Sequence, residues 1–212
     1  EAMGADALVI RHEHAGASAT VARAVRCAVL NAGDGRHEHP TQGLLDTLTL
    51  ANARNVESDF DLSGLRVAIL GDVRNSRVAR SDIAAFTTLG ASVVCVGPPA
   101  FVPDTLRAMG VDVSHDLDAV LPTVDAVQTL RIQFERSATI ASPRDYAAGY
   151  QLNARRVALM KKGAIVMHPG PVNRGVEIAP DVADDAGRSV ILRQVSAGVA
   201  VRMAALERCV AR

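Results

Sequence analysis

His39 and Gln42 stand three residues apart, with Pro40 and Thr41 between them, inside a polar run that extends from Asn31 to Asp46. An apolar stretch, Cys27 to Leu30, ends at Asn31, and Gly33 and Gly35 let the backbone turn. Pro40 suits a first helical turn, where its missing N–H costs nothing. If the helix begins there, His39 and Gln42 project from its N-terminal end toward one bound group. That end also favours anions, through its free N–H groups and its dipole. Taken alone, the same residues describe a capped helix beside a solvated histidine.

Arginine recurs where further chemistry would be expected. In open α/β sheets ligands bind at the carboxyl ends of parallel strands, so the residues after each apolar run carry the information. Ala7 to Ile10 is followed by Arg11-His12, and Leu65 to Leu70 by Gly71-Asp72 and then Arg74, Asn75, Ser76 and Arg77. Ala126 to Leu130 is followed by Arg131, Gln133, Glu135 and Arg136, and Ala164 to Met167 by the run His168 to Gly175. The planar guanidinium fork binds carboxylate and phosphate in a bidentate manner. Convergence of Arg11, Arg77 and Arg131 would therefore make a site for a small polyanionic substrate, although each arginine alone reads as a surface ion-pair residue.

The elements that must position these residues alternate. Strand-like runs at Ala7 to Ile10 and Ala28 to Asn31 enclose a helix near Ser18 to Val25, and a helix follows from Pro40 to Ala53. A polar stretch, Asn52 to Gly64, marks a subdomain boundary. Beyond it come strands at 65–70, 91–96, 126–130 and 164–167, with helices over 76–89, 104–109 and around 153–160. Val190 to Cys209 has apolar residues at helical spacing and predicts a long terminal helix. The fold expected is α/β, with two parallel-sheet subdomains, the first incomplete, and a long C-terminal helix.

Composition narrows the function. The 212 residues are 49% hydrophobic, ample for a core, and 23 basic against 23 acidic side chains argue against a general nucleic-acid or membrane-surface role. Cys27, Cys95 and Cys209 are widely separated and odd in number, which fits reduced thiols in a cytoplasm rather than a disulfide framework or zinc site. No membrane-length apolar run or signal peptide is visible. Gly71 lacks the companion glycines of a dinucleotide loop. Two His-Glu-His triplets, at 12–14 and 37–39, raise the question of a metal; both read as loop segments without zinc spacing, with His12, His14 and His37 structural or solvated. No G-x-S-x-G elbow, phosphate loop or polar cysteine motif occurs, which leaves direct transfer without a covalent enzyme intermediate.

Placed in order, these motifs resemble the catalytic chains of the aspartate carbamoyltransferases, within the wider aspartate/ornithine carbamoyltransferase family. The carriers are Val9 to His12, Asn31 to Gly35, His39 to Gln42, Gly71-Asp72 with Ser76 to Ser81, Leu130 to Gln133 with Glu135-Arg136, and His168 to Pro171 with Asn173 to Gly175. The ornithine branch is similar around His-Pro-x-Gln but typically has cysteine at the place of Thr41 and His-Cys-Leu-Pro at the place of His168 to Pro171. The resemblance implies attack of the L-aspartate amine on carbamoyl phosphate, within de novo pyrimidine synthesis. It implies that Arg11 contacts carbamoyl phosphate, that His39 donates to its carbonyl oxygen, and that Gln42 with the Gly170 and Pro171 carbonyls holds the carbamoyl amide. Arg77 and Arg131 would clamp the aspartate carboxylates, with Gln133 orienting its loop. No metal or organic cofactor is implied.

The resemblance also sets expectations about organisation. Residues 1–58 would be the last part of a carbamoyl-phosphate domain, 59–187 the aspartate domain, and 188–212 a helix returning to the first. The family's Ser-Thr-Arg-Thr-Arg phosphate stretch and its lysine loop do not occur, and Glu1 to Asp6 reads like the end of a helix. Truncation at the N-terminus, and inactivity of the chain by itself, are thus expected. Glu13 stands where the family usually has proline and is expected to face solvent. A cytoplasmic homotrimer is implied, with a regulatory chain or dihydroorotase as further partners and no nucleic acid or membrane. The competing reading is a noncatalytic paralogue or fragment that serves as a ligand-binding or assembly module.

Overall fold

The computed structural model describes residues 1–133 and 142–211. Phe134, Glu135 and Arg136 lie outside the described residues. The described residues form two parallel sheets. β1 (Ala7–His12) and β2 (Ala28–Asp34) pair through the crossover helix α1 (Ala17–Ala24), with Ile10 opposite Asn31 and His12 opposite Asp34. α2 (Pro40–Arg54) follows, its first turn occupied by the proline as the sequence requires.

The larger sheet contains β3 (Arg66–Leu70), β4 (Ser92–Val96), β5 (Asp112–Ser114), β6 (Ala126–Thr129) and β7 (Ile165–Met167), in the spatial order β5-β4-β3-β6-β7. Every pairing is parallel. Because β4 leaves β3 on one side and β6 lies on the other, the order reverses at β3, and a crevice opens beyond the carboxyl ends of β3 and β6. The loops that carry Arg77 and Arg131 begin at those two ends.

Alternation along the strands builds two cores. Val67, Ile69, Val93 and Cys95 pack with Ile83 and Phe86 of α3 (Arg77–Thr88) and with Leu50 and Ala51 of α2. Ala68, Leu70, Val94, Val96 and Val127 face the other way. They meet Leu117 and Val120 of α4 (Leu117–Val120), Val157 of α6 (Ala154–Val157), and Val182 and Ala183 of α7 (Pro180–Ala183). Burial on both faces explains why β3 and β4 read as continuous apolar runs.

Several expectations needed correction. Residues 1–6 form turns, closed by the Gly4 N–H donating to the Glu1 carbonyl, rather than a helix end. His12 is the last residue of β1, not a loop residue. The helix expected around 153–160 contracts to α6 behind an Asn153 cap, whose side chain accepts from the Arg156 N–H. β5 has three residues and no apolar run, so period-2 reasoning had nothing to detect. α5 (Pro143–Tyr150), capped by Ser142, was also missed. In α8 (Ile191–Val210) the apolar stripe Leu192, Val195, Val199 and Met203 is exposed, while Ile191, Gln194 and Gly198 form the buried face.

Candidate active site

Two cap geometries place the leading residues. His39 is the N-cap of α2, and its carbonyl accepts the N–H groups of Gln42 and Gly43. Its own N–H donates to Ser81 Oγ on α3 at 2.9 Å, which ties the imidazole-bearing turn to the second sheet's helix layer. Ser76, extended and accepting the Ala79 N–H at 3.1 Å, caps α3 and makes Arg77 its first residue. Gly33 lies against Arg77: a Cβ there would stand 2.6 Å from Arg77 Nε, so the bare backbone of β2 leaves room for the guanidinium.

These elements bound a cleft of about 490 Å³. Arg11, His39, Gln42, Arg77, Arg131, Gln133, Gly170 and Pro171, the residues singled out by the sequence, all line it. Arg131 Nε approaches Asn173 Oδ1 at 3.4 Å, and Asn173 Nδ2 donates to the Ile132 carbonyl at 2.9 Å. Those bonds join the loop after β6 to the loop after β7. Glu177 and His168, both fully buried, brace the latter loop. Glu177 Oε1 accepts the Asn173 N–H at 2.6 Å and lies 3.1 Å from His168 Nε2, while the Gly170 N–H donates to His168 Nδ1 at 2.9 Å. The Gly170–Pro171 peptide is cis.

The cleft is strongly cationic. Arg11 Nη2 lies 3.4 Å from His39 Nε2. A guanidinium only donates, so Nε2 accepts there and the ring proton sits on Nδ1, which is buried with no hydrogen-bond partner among the described residues. Burial first, and then the charges of Arg11, Arg77 and Arg202, push the imidazole down to about 4. His39 is thus neutral near pH 7, able to offer one proton in a hydrogen bond without adding a charge. To donate to an oxygen ligand in the cleft, the ring would carry its proton on Nε2, the nitrogen that faces Arg11.

Arg202 and Asp72 were not among the candidates. Arg202 reaches in from the middle of α8, with Nη2 at 3.4 Å from Gln42 Oε1. Its signal was that it is the one charged residue between Arg193 and Glu207 in an otherwise small and apolar helical stretch. Asp72, quoted only as part of a motif, is buried, and its carboxylate receives the Asn75 side-chain amide at 3.0 and 2.9 Å. Arg174 does not line the cleft; it forms a bidentate pair with Asp184 at 2.6 and 2.8 Å. Glu13, 81% exposed at its side chain, does not line it either. Asp34, His37 and Glu38 bring ligand atoms within 4.8 Å of one another. Asp34 already accepts the Gly16 and Glu38 backbone N–H groups, so this cluster fastens the turn between β2 and α2.

Comparison with known proteins places this geometry among relatives. The family model for the Asp/Orn binding domain of aspartate/ornithine carbamoyltransferases matches residues 63–209, and that for the carbamoyl-P binding domain matches residues 1–52. An aspartate carbamoyltransferase catalytic subunit of Myxococcus xanthus is 55% identical over 100% of this chain and 70% of its own length. That of Novosphingobium aromaticivorans is 53% identical over 97% of this chain and 61% of its own. An aspartate transcarbamoylase of Trypanosoma cruzi, solved with aspartate and phosphate, superposes with a TM-score of 0.79 at 31% identity, covering 96% of this chain and 64% of that one. The same organism's enzyme with N-(phosphonacetyl)-L-aspartic acid gives 0.78 at 30% identity, covering 95% and 64%. The chain thus spans roughly two thirds of the length of the proteins it matches.

Proposed function

The chain belongs to the aspartate/ornithine carbamoyltransferase family, and from that premise we propose that its cleft transfers the carbamoyl group of carbamoyl phosphate to the amine of L-aspartate. The products are N-carbamoyl-L-aspartate and phosphate, within de novo pyrimidine synthesis. One observation carries the reading: Arg77 and Arg131, from the two sides of the strand-order reversal, line the same cleft as His39 and Gln42. Two guanidinium forks suit the two carboxylates of aspartate. The cationic side chain of ornithine would meet the charges of Arg11, Arg77, Arg131 and Arg202 unfavourably.

In this reading the aspartate amine attacks the carbonyl carbon, forming a C–N bond while the C–O bond to phosphate breaks. The amine proton leaves with the phosphate. Charge that develops on the carbonyl oxygen is met by the neutral His39 and by Arg11, an oxyanion-type arrangement that requires little reorganisation. Gln42 and the Gly170 and Pro171 carbonyls hold the carbamoyl amide, and the arginines hold the amine in line. Phosphate is an adequate leaving group and accepts the proton, so the chemistry requires neither metal nor organic cofactor. Residues 1–58 serve the carbamoyl-phosphate side and 59–187 the aspartate side, with 188–212 closing back on the first. The same reading places the protein in the cytoplasm as a homotrimer, with a regulatory chain or dihydroorotase as further partners.

The test is formation of N-carbamoyl-L-aspartate by the purified protein, with ornithine as the competing acceptor. No turnover is expected from the chain by itself; extended upstream with the family's phosphate stretch, it should give product with aspartate, little with ornithine, and calorimetric binding of N-(phosphonacetyl)-L-aspartic acid. Absence of both turnover and analogue binding would overturn the reading in favour of a noncatalytic module.

A further inference from the structure

Beneath the cleft lies a group of buried polar side chains that the transfer chemistry does not use. Asp46 on α2 and Asp82 on α3 are both fully buried, where two ionised carboxylates side by side would be prohibitively costly. Their carboxyls stand side by side, since one donor, Gln128 Nε2, reaches an oxygen of each. Asp46 is saturated with donors: Oδ1 accepts Gln42 Nε2 at 3.0 Å and also Gln194 Nε2, and Oδ2 accepts Gln128 Nε2 at 2.9 Å. Asp82 Oδ2 shares the Gln128 amide at 3.2 Å, whereas its Oδ1 has no hydrogen-bond partner among the described residues. With Asp46 supplied with donors and Asp82 Oδ1 lacking one, a single proton is better placed on Asp82 than on Asp46.

We propose that Asp46 and Asp82 share one proton, and that Asp46, so charged, is a positioning residue that locks the Gln42 amide with its oxygen toward the cleft. Two neighbours dictate the same orientation. An ionised Asp46 can only accept, so Gln42 turns its nitrogen inward, and Arg202 has only N–H groups to offer the oxygen. Gln42 then presents an acceptor to the cleft, matched to an N–H of the carbamoyl donor, on the carbamoyl-transfer reading on which this assignment rests. The groups facing the pair are Gln42 from α2, Gln128 from β6 and Gln194 from α8, all neutral amides. Arg202 lies beyond Gln42, and His168 beyond Gln194, whose oxygen accepts the His168 N–H. Burial, and for Asp82 also the charge of Asp46, raises both carboxyls above their usual range.

The experiment has two arms. Infrared difference spectra of the wild-type protein minus Asp82→Asn at neutral pH should show the carbonyl stretch of a protonated carboxylic acid, shifting in D2O. Its absence would overturn the shared proton, whether or not the protein turns over substrate. In the second arm, calorimetric affinity for N-(phosphonacetyl)-L-aspartic acid is measured across pH. Wild-type affinity should fall as pH rises far enough to ionise Asp82 as well, because two buried carboxylates side by side repel and Asp46 is displaced from Gln42, while Asp82→Asn, whose amide replaces the proton, should keep its affinity and lose that part of the pH dependence. Asp46→Asn, which frees Gln42 to turn over, should bind about tenfold more weakly or worse. Wild-type affinity in Asp46→Asn, or unchanged pH dependence in Asp82→Asn, would overturn the positioning role. A wild-type protein that binds no analogue would instead defeat the carbamoyl-transfer reading and remove the role assigned to Gln42, with the infrared arm still deciding the proton.

Discussion

At the scale of single residues, the cleft uses neutrality as much as charge. His39 stays neutral because it is buried and faces Arg11, Arg77 and Arg202; on the proposed carbamoyl transfer it would stabilise a developing oxyanion without binding an anionic substrate too tightly in the ground state. H39A should therefore lower kcat by about 10²–10³-fold, the cost typical of removing one oxyanion donor, with a smaller change in KM. Steady-state carbamoyl transfer checks this, and equal loss of binding and turnover would argue for a structural role. Arg131 should behave differently. R131K retains a charge but loses the fork that a carboxylate engages, so KM for aspartate should rise by roughly tenfold or more. That rise should leave the affinity for phosphate nearly unchanged.

At the scale of elements, the geometry depends on how closely α2 approaches α3. A Cβ on Gly43 would stand 3.0 Å from the Ser81 carbonyl oxygen, so the absence of a side chain allows the contact and keeps Ser81 within reach of the His39 N–H. G43V should overpack that seam and cost about 1–3 kcal/mol in urea unfolding. Activity should fall further than stability alone explains, because His39 loses its anchor. S76A removes the cap that starts α3 at Arg77, at a cost of about 1 kcal/mol, and should raise KM for aspartate through displacement of that arginine. Both helices were legible in the sequence, since Pro40 and Ser76 mark their starts. Gly43 was not, because nothing in a single chain's pattern says which helix face another backbone will touch.

At the scale of the whole molecule, two buried titrations oppose each other. For His39 the folded value, about 4, lies below the ordinary 6.5. The unfolded chain then takes up a proton that the folded chain refuses, so stability is full above about 6.5 and declines as pH falls toward 4. The raised Asp46–Asp82 pair has the reverse sign: the folded state keeps a proton that the unfolded state releases, and stability declines as pH rises through the pair's range. The windows overlap, because the pair's loss begins at the ordinary carboxylate value, 3.8, so the contributions offset between about 4 and 6.5, and urea midpoints of H39Q should fall more steeply with rising pH across that range than those of wild type. The sequence by itself determined the parallel α/β rhythm, the turn at Pro40 and the arginines after the strands, because periodicity, caps and residue chemistry are local. Only tertiary structure decided that β6 lies beside β3, bringing Arg131 and Arg77 to one crevice, and that α8 returns Arg202 and Gln194 to α2. It also decided that Asp46 and Asp82 meet where no water can separate their charges. Such pairings depend on strand order and helix packing, which join residues far apart along the chain and leave no periodic trace in it.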